Sequence, residues 1–288
     1  MSTQDATPRP VARPRAVVEV LGIATAAMGT FWLARLVAPG WLRWEQDTLG
    51  GPWLIQVLAL MVVPLILVRL LGLRSGRLGV TFGQIGRPLE TALTALAVIG
   101  PISGLAFPLL GVLGWSPFDW TGGLVLAAAY AAALPLTGVV IRKIRPSTAG
   151  SLAAPQVAIA AAVLAGGVVA SALTADSFPL LSRILIALLV VGPGEELLFR
   201  GIMQTRLDQA FGRPWRIFGT DLGWGWALAS VIFGLAHYLS ASAPFQGGWA
   251  LWTAVSGLLF GYVRAKGGSF VASGLVHGVL LAIAAVFA

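Results

Sequence analysis

The 288-residue chain contains no cysteine, only two histidines, and charged side chains at just 10% of its positions. The missing cysteine excludes disulfides, thiolate nucleophiles and cysteine-ligated metals. The scarcity of charge excludes an ordinary soluble domain, in which about 25% of residues are charged. What the chain has instead is apolar residues, 57% of the total, and a mean hydropathy of +0.87. It therefore reads as a polytopic membrane protein. Inside a bilayer every backbone polar group must be satisfied within its own element, so spans are helices or closed barrels. Apolar runs of roughly 20 residues without strict alternation favour helices. The expected fold is an all-α transmembrane helix bundle of about eight or nine helices, multi-pass in the cell membrane.

Up to nine apolar segments are legible, at about 16–38, 53–73, 91–113, 122–141, 151–173, 180–205, 223–241, 246–264 and 269–288. The polar, proline-rich stretch 1–15 is expected to be a disordered basic tail. The first run is too long for a signal-peptide core and is read as a retained helix. Residues 16–175 form the N-terminal helices and 176–288 the remainder, within one membrane domain. The 74–88 stretch is too charged to span and is expected in the interface, with Val80, Phe82 and Ile85 in lipid. Basic residues recur in alternate connections: Arg9 to Arg15, Arg74 to Arg87, Arg142 to Arg145, Arg206 to Arg216, and Arg264 with Lys266. The intervening loops hold Asp47, Asp119 and Asp176 instead. This alternation places the N-terminus in the cytoplasm and the C-terminus outside. The net charge of +8 is thereby explained without nucleic acid, since no basic patch interleaved with aromatics lies outside the loops. Tryptophans near segment ends, among them Trp41, Trp53, Trp115, Trp224 and Trp249, are expected as interface anchors.

The polar groups inside the spans carry the chemistry. Most acidic residues fall in loops or at segment edges, and Glu19 lies within snorkelling distance of the interface. Glu195 and Glu196, in GPGEELLFRG, are the acids well inside a span, where one charge costs about 2.5–3.5 kcal/mol. Residues four apart share a helix face, so Glu196 is placed to pair with Arg200. Glu195 points about 100° away and has Phe199 four residues on. A carboxyl without a partner there is a candidate general base or acid; the bland alternative is a set of interfacial charges at a helix end. His237 and His277 also fall inside apolar segments, where a lone histidine more often forms a hydrogen bond between helices than serves as a catalyst. Three helices packed together would bring Glu195, His237 and His277 to one point, the groups needed to activate a water and stabilise an oxyanion. Pro193 is expected to loosen or kink the helix beside the glutamates. Gly257 and Gly261 form a G-x-x-x-G pair suited to close helix packing.

These residues resemble a known family. EELLFR, with Glu195, Glu196 and Arg200, is similar to an E-E-x-x-x-R motif, and FGLAH, with Phe233 and His237, to F-x-x-x-H. GLLFGYVRAKGGSFVASGLVH, ending at His277, is similar to a third block. Together they resemble the CPBP intramembrane proteases, also called the CAAX-protease or Abi family, over about residues 180–288. The resemblance implies a membrane endopeptidase in which Glu195 and His237 activate a water, His277 sits at the oxyanion, and Glu196 and Arg200 support the site. The substrate would be a membrane-embedded or lipidated peptide, possessing a prenyl or other C-terminal signal in some relatives. Two histidines and a glutamate are able to ligate zinc, but no H-E-x-x-H helix is present, and the favoured reading uses no metal and no other cofactor. One position departs from the pattern. Many relatives have asparagine four residues after the last histidine, and here that position is Leu281, in a chain without asparagine. Ser273, on the His277 face, is the candidate replacement donor.

Three other readings compete. A rhomboid-like serine peptidase would use Ser256 in AVSG with His277, but the first glycine of its motif is missing and Glu195 has no role. A transporter would use Glu195 as a proton relay, although no internal repeat is evident. A non-catalytic scaffold or bacteriocin-immunity protein would retain the helices without turnover, and Leu281 favours it.

Overall fold

A computed structural model describes residues 12–73, 78–80, 85–144 and 154–287. The architecture is an all-α bundle. Its helices are α1 (Arg13–Val37), α2 (Pro39–Leu49), α3 (Trp53–Leu70), α4 (Gly86–Leu113), α5 (Trp120–Ile141), α6 (Ala154–Thr174), α7 (179–211), α8 (Trp224–Tyr238), α9 (Gly247–Gly267) and α10 (Phe270–Phe287). Every expected segment corresponds to one of these, and α2 is the addition. A short antiparallel hairpin, β1 (Trp215–Ile217) with β2 (Thr220–Leu222), joins α7 to α8. Its two-residue turn sets both Phe218 and Gly219 at positive φ, as a tight hairpin requires.

Among the described residues six helices contain a stretch long and apolar enough to cross a membrane: α1, α3, α4, α5, α6 and α10. Of the four that do not, α2, α7, α8 and α9, the last three carry most of the polar motifs. Helix α8, at 15 residues, is about 22 Å long by the helical rise, short of a hydrocarbon core of about 30 Å. Helix α8 buries one face through Ala229, Ser230, Phe233 and Gly234 and leaves Leu228, Val231 and Leu235 exposed on the other. Helix α9 packs on α8 and α5, and α10 packs on α4 and α7.

Cross-links between helix ends fix which ends lie together. At one end the Lys266 ammonium donates to the Arg142 carbonyl (2.7 Å), the Phe270 amide donates to the Gly79 carbonyl (3.2 Å), and Arg206 pairs with Glu19 (2.6 Å). At the other end the Trp32 indole donates to the Leu239 carbonyl (3.1 Å) and the Trp252 indole to the Pro117 carbonyl (2.9 Å). Successive long helices therefore run in alternate directions.

Several sequence expectations change here. Glu19 does not snorkel. It is buried, and it accepts from Arg15 as well as Arg206. Glu45, expected in a loop, is fully buried on α2, and its Oε2 accepts from the Leu54 and Ile55 amides. It thereby satisfies orphan donors in the first turn of α3. Asp208 does the same for α8 by accepting from the Gly225 amide at 2.9 Å. Of the expected interfacial stretch, Val80 is buried against the core rather than in lipid, Ile85 is exposed, and Phe82 lies outside the described residues. Of the expected disordered tail, residues 1–11 lie outside the described residues, whereas Arg13–Arg15 begin α1. Trp53 is no interface anchor: it is wholly buried, its indole donating to Ser171.

Candidate active site

Helix α7 has an unusual backbone around its carboxyls. Two π-helical stretches, Ala187–Val191 and Leu197–Gln204, flank the α-helical turn Gly192–Glu196. Pro193 has no amide to give to the preceding turn, and a wider π turn accommodates the lost bond. Glu195 and Glu196 sit in the turn between the two wide stretches. Because α7 extends from 179 to 211, Glu195 lies near its middle.

Close backbone contact then sets the register against α10. A Cβ at Gly192 would come within 2.4 Å of the Gly278 amide nitrogen, and one at Gly274 within 3.1 Å of the Pro193 Cα. Small residues at a crossing let helices approach this closely. The result is a direct link between the helices: His277 Nδ1 lies 3.1 Å from Glu196 Oε1. Arg200 Nη1 donates to the same oxygen at 2.9 Å, so the expected Glu196–Arg200 pair is present and extends to His277. Both Glu196 and Arg200 are completely buried. The Arg200 guanidinium lies 4.2 Å from the Phe233 ring centroid, a cation–π contact that helps to hold the charge away from water. Gly257 makes room for it, since a Cβ there would approach Arg200 Nη2 to 2.8 Å.

Glu195 faces the other way. Its Oε2 lies 3.8 Å from His277 Nε2 and 4.0 Å from His237 Nε2. The Glu195 side chain remains 17% exposed, against none for Glu196, which separates a cavity-facing acid from a structural one. His237 occupies the last turn of α8, and its Nδ1 lies 2.8 Å from the Phe233 carbonyl. That carbonyl only accepts, so Nδ1 carries hydrogen and the neutral ring presents an Nε2 lone pair toward Glu195. The Glu196 carboxylate fixes His277 in the same sense. Three acceptor atoms, Glu195 Oε2 and two Nε2, thus converge on one point. They are compatible only when a proton or a donor lies among them.

The walls are aromatic. Phe260 stacks on His277 with centroids 4.6 Å apart and planes at 22°, and Trp249 meets His237 edge-on at 4.9 Å. Phe233 contacts both imidazoles, at 4.5 and 5.8 Å. Phe260 and Trp249 escaped the sequence reading, in which Trp249 was an interface anchor. No local spacing distinguishes a wall residue from any other aromatic in an apolar helix. The site opens into a cavity of about 850 Å³ lined mostly by apolar side chains.

Among the expected site residues, Glu195, His237, His277, Glu196, Arg200 and Phe233 lie together, and Ser273 does not join them. Its hydroxyl is buried and donates to the Phe270 carbonyl at 3.1 Å. The cavity follows α10 in the opposite direction, along His277, Leu280, Leu281 and Ala284, so Ser273 lies one turn behind the imidazole. Leu281 itself lines the cavity and presents an apolar surface to it. Among the described residues no group of three or more side chains of the His, Cys, Asp or Glu type is arranged to hold a metal.

Residues 177–283 match the family model described as Rce1-like, type II CAAX prenyl endopeptidase Rce1-like. No curated protein and no solved structure matches the chain. The matched segment contains all three polar motifs and the helices α7 to α9, with most of α10. Within residues 177–283 the chain is therefore similar to the Rce1-like type II CAAX prenyl endopeptidases.

Proposed function

We propose that the protein hydrolyses a peptide bond of a membrane-associated polypeptide, with Glu195 and His237 as the water-activating pair and His277 at the oxyanion. The observation that carries this reading is the position of Glu195 Oε2 within 4.0 Å of both imidazole Nε2 atoms, at the wall of a peptide-sized cavity. A water held by Glu195 and His237 gives up a proton to one of them as its oxygen bonds to the scissile carbonyl carbon. The carbonyl electron pair moves to oxygen. His277, anchored through Nδ1 on Glu196 and with the proton shared among the three converging groups on its Nε2, directs that hydrogen at the oxyanion. The proton taken from water passes to the amide nitrogen as the C–N bond breaks, leaving a carboxylic acid and an amine. Arg200 balances the Glu196 charge, which lets Glu196 orient His277 without itself taking part.

The test is cleavage of a membrane-tethered or prenylated peptide by the purified protein. The expected result is hydrolysis that Glu195→Gln abolishes while the helical circular dichroism is unchanged. Undiminished hydrolysis by that variant would sink the reading. Leu281 supports a second one, a membrane scaffold that keeps the site without turnover. Folded protein that binds the peptide without cutting it would favour the scaffold.

A further inference from the structure

The cavity occupies only one half of the bundle. Helix α1 lines it with Met28 to Arg35, its last turns, and α3 with Ile55 to Leu60, near its beginning. Helix α4 contributes Phe107 to Gly111 near its end, α9 contributes Trp249 to Phe260 from its start, and α10 contributes the portion from His277 onward. The connections at 38–52, 114–119 and 239–246 complete it through Leu42, Gln46, Trp115, Phe118 and Ser242. No described residue of the connections at 71–85, 142–153, 212–223 or 268–269 lines it. The helix-end cross-links place all the lining segments at one end of the bundle and those four connections at the other.

The two ends differ in charge. The end without cavity carries Arg13, Arg15, Arg142, Lys143, Arg213 and Arg216 among the described residues. The cavity end carries Arg35, Arg43 and Arg183. Connections rich in lysine and arginine remain on the cytoplasmic face. Exposed aromatic and aliphatic side chains, Trp32, Trp115, Phe118 and Leu239, rim the cavity end, as suits a mouth at the outer interface.

We infer that the site opens to the non-cytoplasmic face of the membrane. It takes as substrate the outward-facing juxtamembrane segment of a membrane-tethered polypeptide, not a lipidated peptide delivered from the cytoplasm. The choice of substrate rests on the peptidase reading above; the direction of the opening does not. The cavity extends from Glu195 along His277, Leu280 and Ala284 of α10 to the mouth.

The absence of cysteine makes the test direct. Ser242 at the mouth and Lys143 at the opposite end are both exposed, and neither belongs to the proposed machinery. Full-length Ser242→Cys and Lys143→Cys proteins in intact cells are treated with a charged, membrane-impermeant maleimide, before and after permeabilisation. Ser242→Cys is expected to label in intact cells, and Lys143→Cys only after permeabilisation. Labelling of Lys143→Cys in intact cells, or of Ser242→Cys only after permeabilisation, overturns the inference. Cleavage by the same proteins in detergent, where both faces are accessible, is scored separately. Inverted labelling with intact cleavage refutes the direction alone, and expected labelling without cleavage refutes the peptidase reading alone.

Discussion

Replacing Arg200 alone is expected to be far more damaging than replacing it together with Glu196. The two side chains are fully buried, with Nη1 and Oε1 2.9 Å apart. At that distance and an effective dielectric of about 20 the gross attraction is about 6 kcal/mol. Desolvation of both ions offsets much of it, so the intact pair is a weak net contributor to stability. Arg200→Met removes the attraction and leaves Glu196 desolvated, with His277 as its remaining polar partner. Breaking a buried pair from one side costs about 3–5 kcal/mol, and loss of the contact with Phe233 adds up to about 2 kcal/mol. In the double variant Glu196→Gln/Arg200→Met no uncompensated carboxylate remains, and most of the pair term is recovered. The assay is reversible unfolding in mixed micelles of detergent and dodecyl sulfate, followed by helical circular dichroism, for the parent, both single variants and the double variant. A coupling energy of several kcal/mol is expected. Additive effects within about 0.5 kcal/mol, the behaviour of independent sites, would refute the claim that these groups form one unit.

Three further outcomes follow from other parts of the structure. Gly192→Val would press a branched side chain onto the α10 backbone, where a Cβ alone comes within 2.4 Å of the Gly278 nitrogen; overpacking of about 1–3 kcal/mol and a lower rate of cleavage are expected, and parental stability with parental rate would contradict the proposed crossing. Leu281→Asn is expected to raise kcat by restoring a donor on the cavity wall, toward the about 2.7–4 kcal/mol that one oxyanion donor supplies; an unchanged kcat in a folded variant would show that no donor is lacking there. Burial on α2 pushes the Glu45 carboxyl above its ordinary range, partly opposed by the amides of Ile55 and Leu54. With the folded value raised, its stabilising contribution is complete below the unfolded carboxylate range and is lost as pH rises through the folded value. Glu45→Gln should therefore gain in Tm relative to the parent between pH 4 and pH 8, and a difference constant across that range would contradict the assigned burial.

Much of this was legible in the sequence because membranes make polar residues informative. Glu195, Glu196, Arg200, His237 and His277 stood out against an apolar background, and helical spacing identified the Glu196–Arg200 pair. Other features were hidden for physical reasons. Glu45 and Asp208 lie in polar stretches, and only the tertiary fold brings the amides of distant helix ends to their carboxyls. Phe260 and Trp249 act as walls through stacking geometry, which has no local sequence period. Ser273 shares a helix face with His277, but a shared face does not say in which direction along the helix the cavity runs. The π turns around Glu195 follow from Pro193 and the packing on α10, and the sequence carried only the first of these.

The chain's two histidines allow its central claim, the convergence of Glu195 with both imidazoles, to be measured directly. The measurement is the nitrogen-15 spectrum of histidine-labelled protein, parent against Glu195→Gln, with His237→Gln to assign the signals. The expected result is displacement of both Nε2 resonances, with both Nδ1 resonances retaining their hydrogen-bonded positions. Movement of one imidazole alone, or of neither, would contradict the shared site.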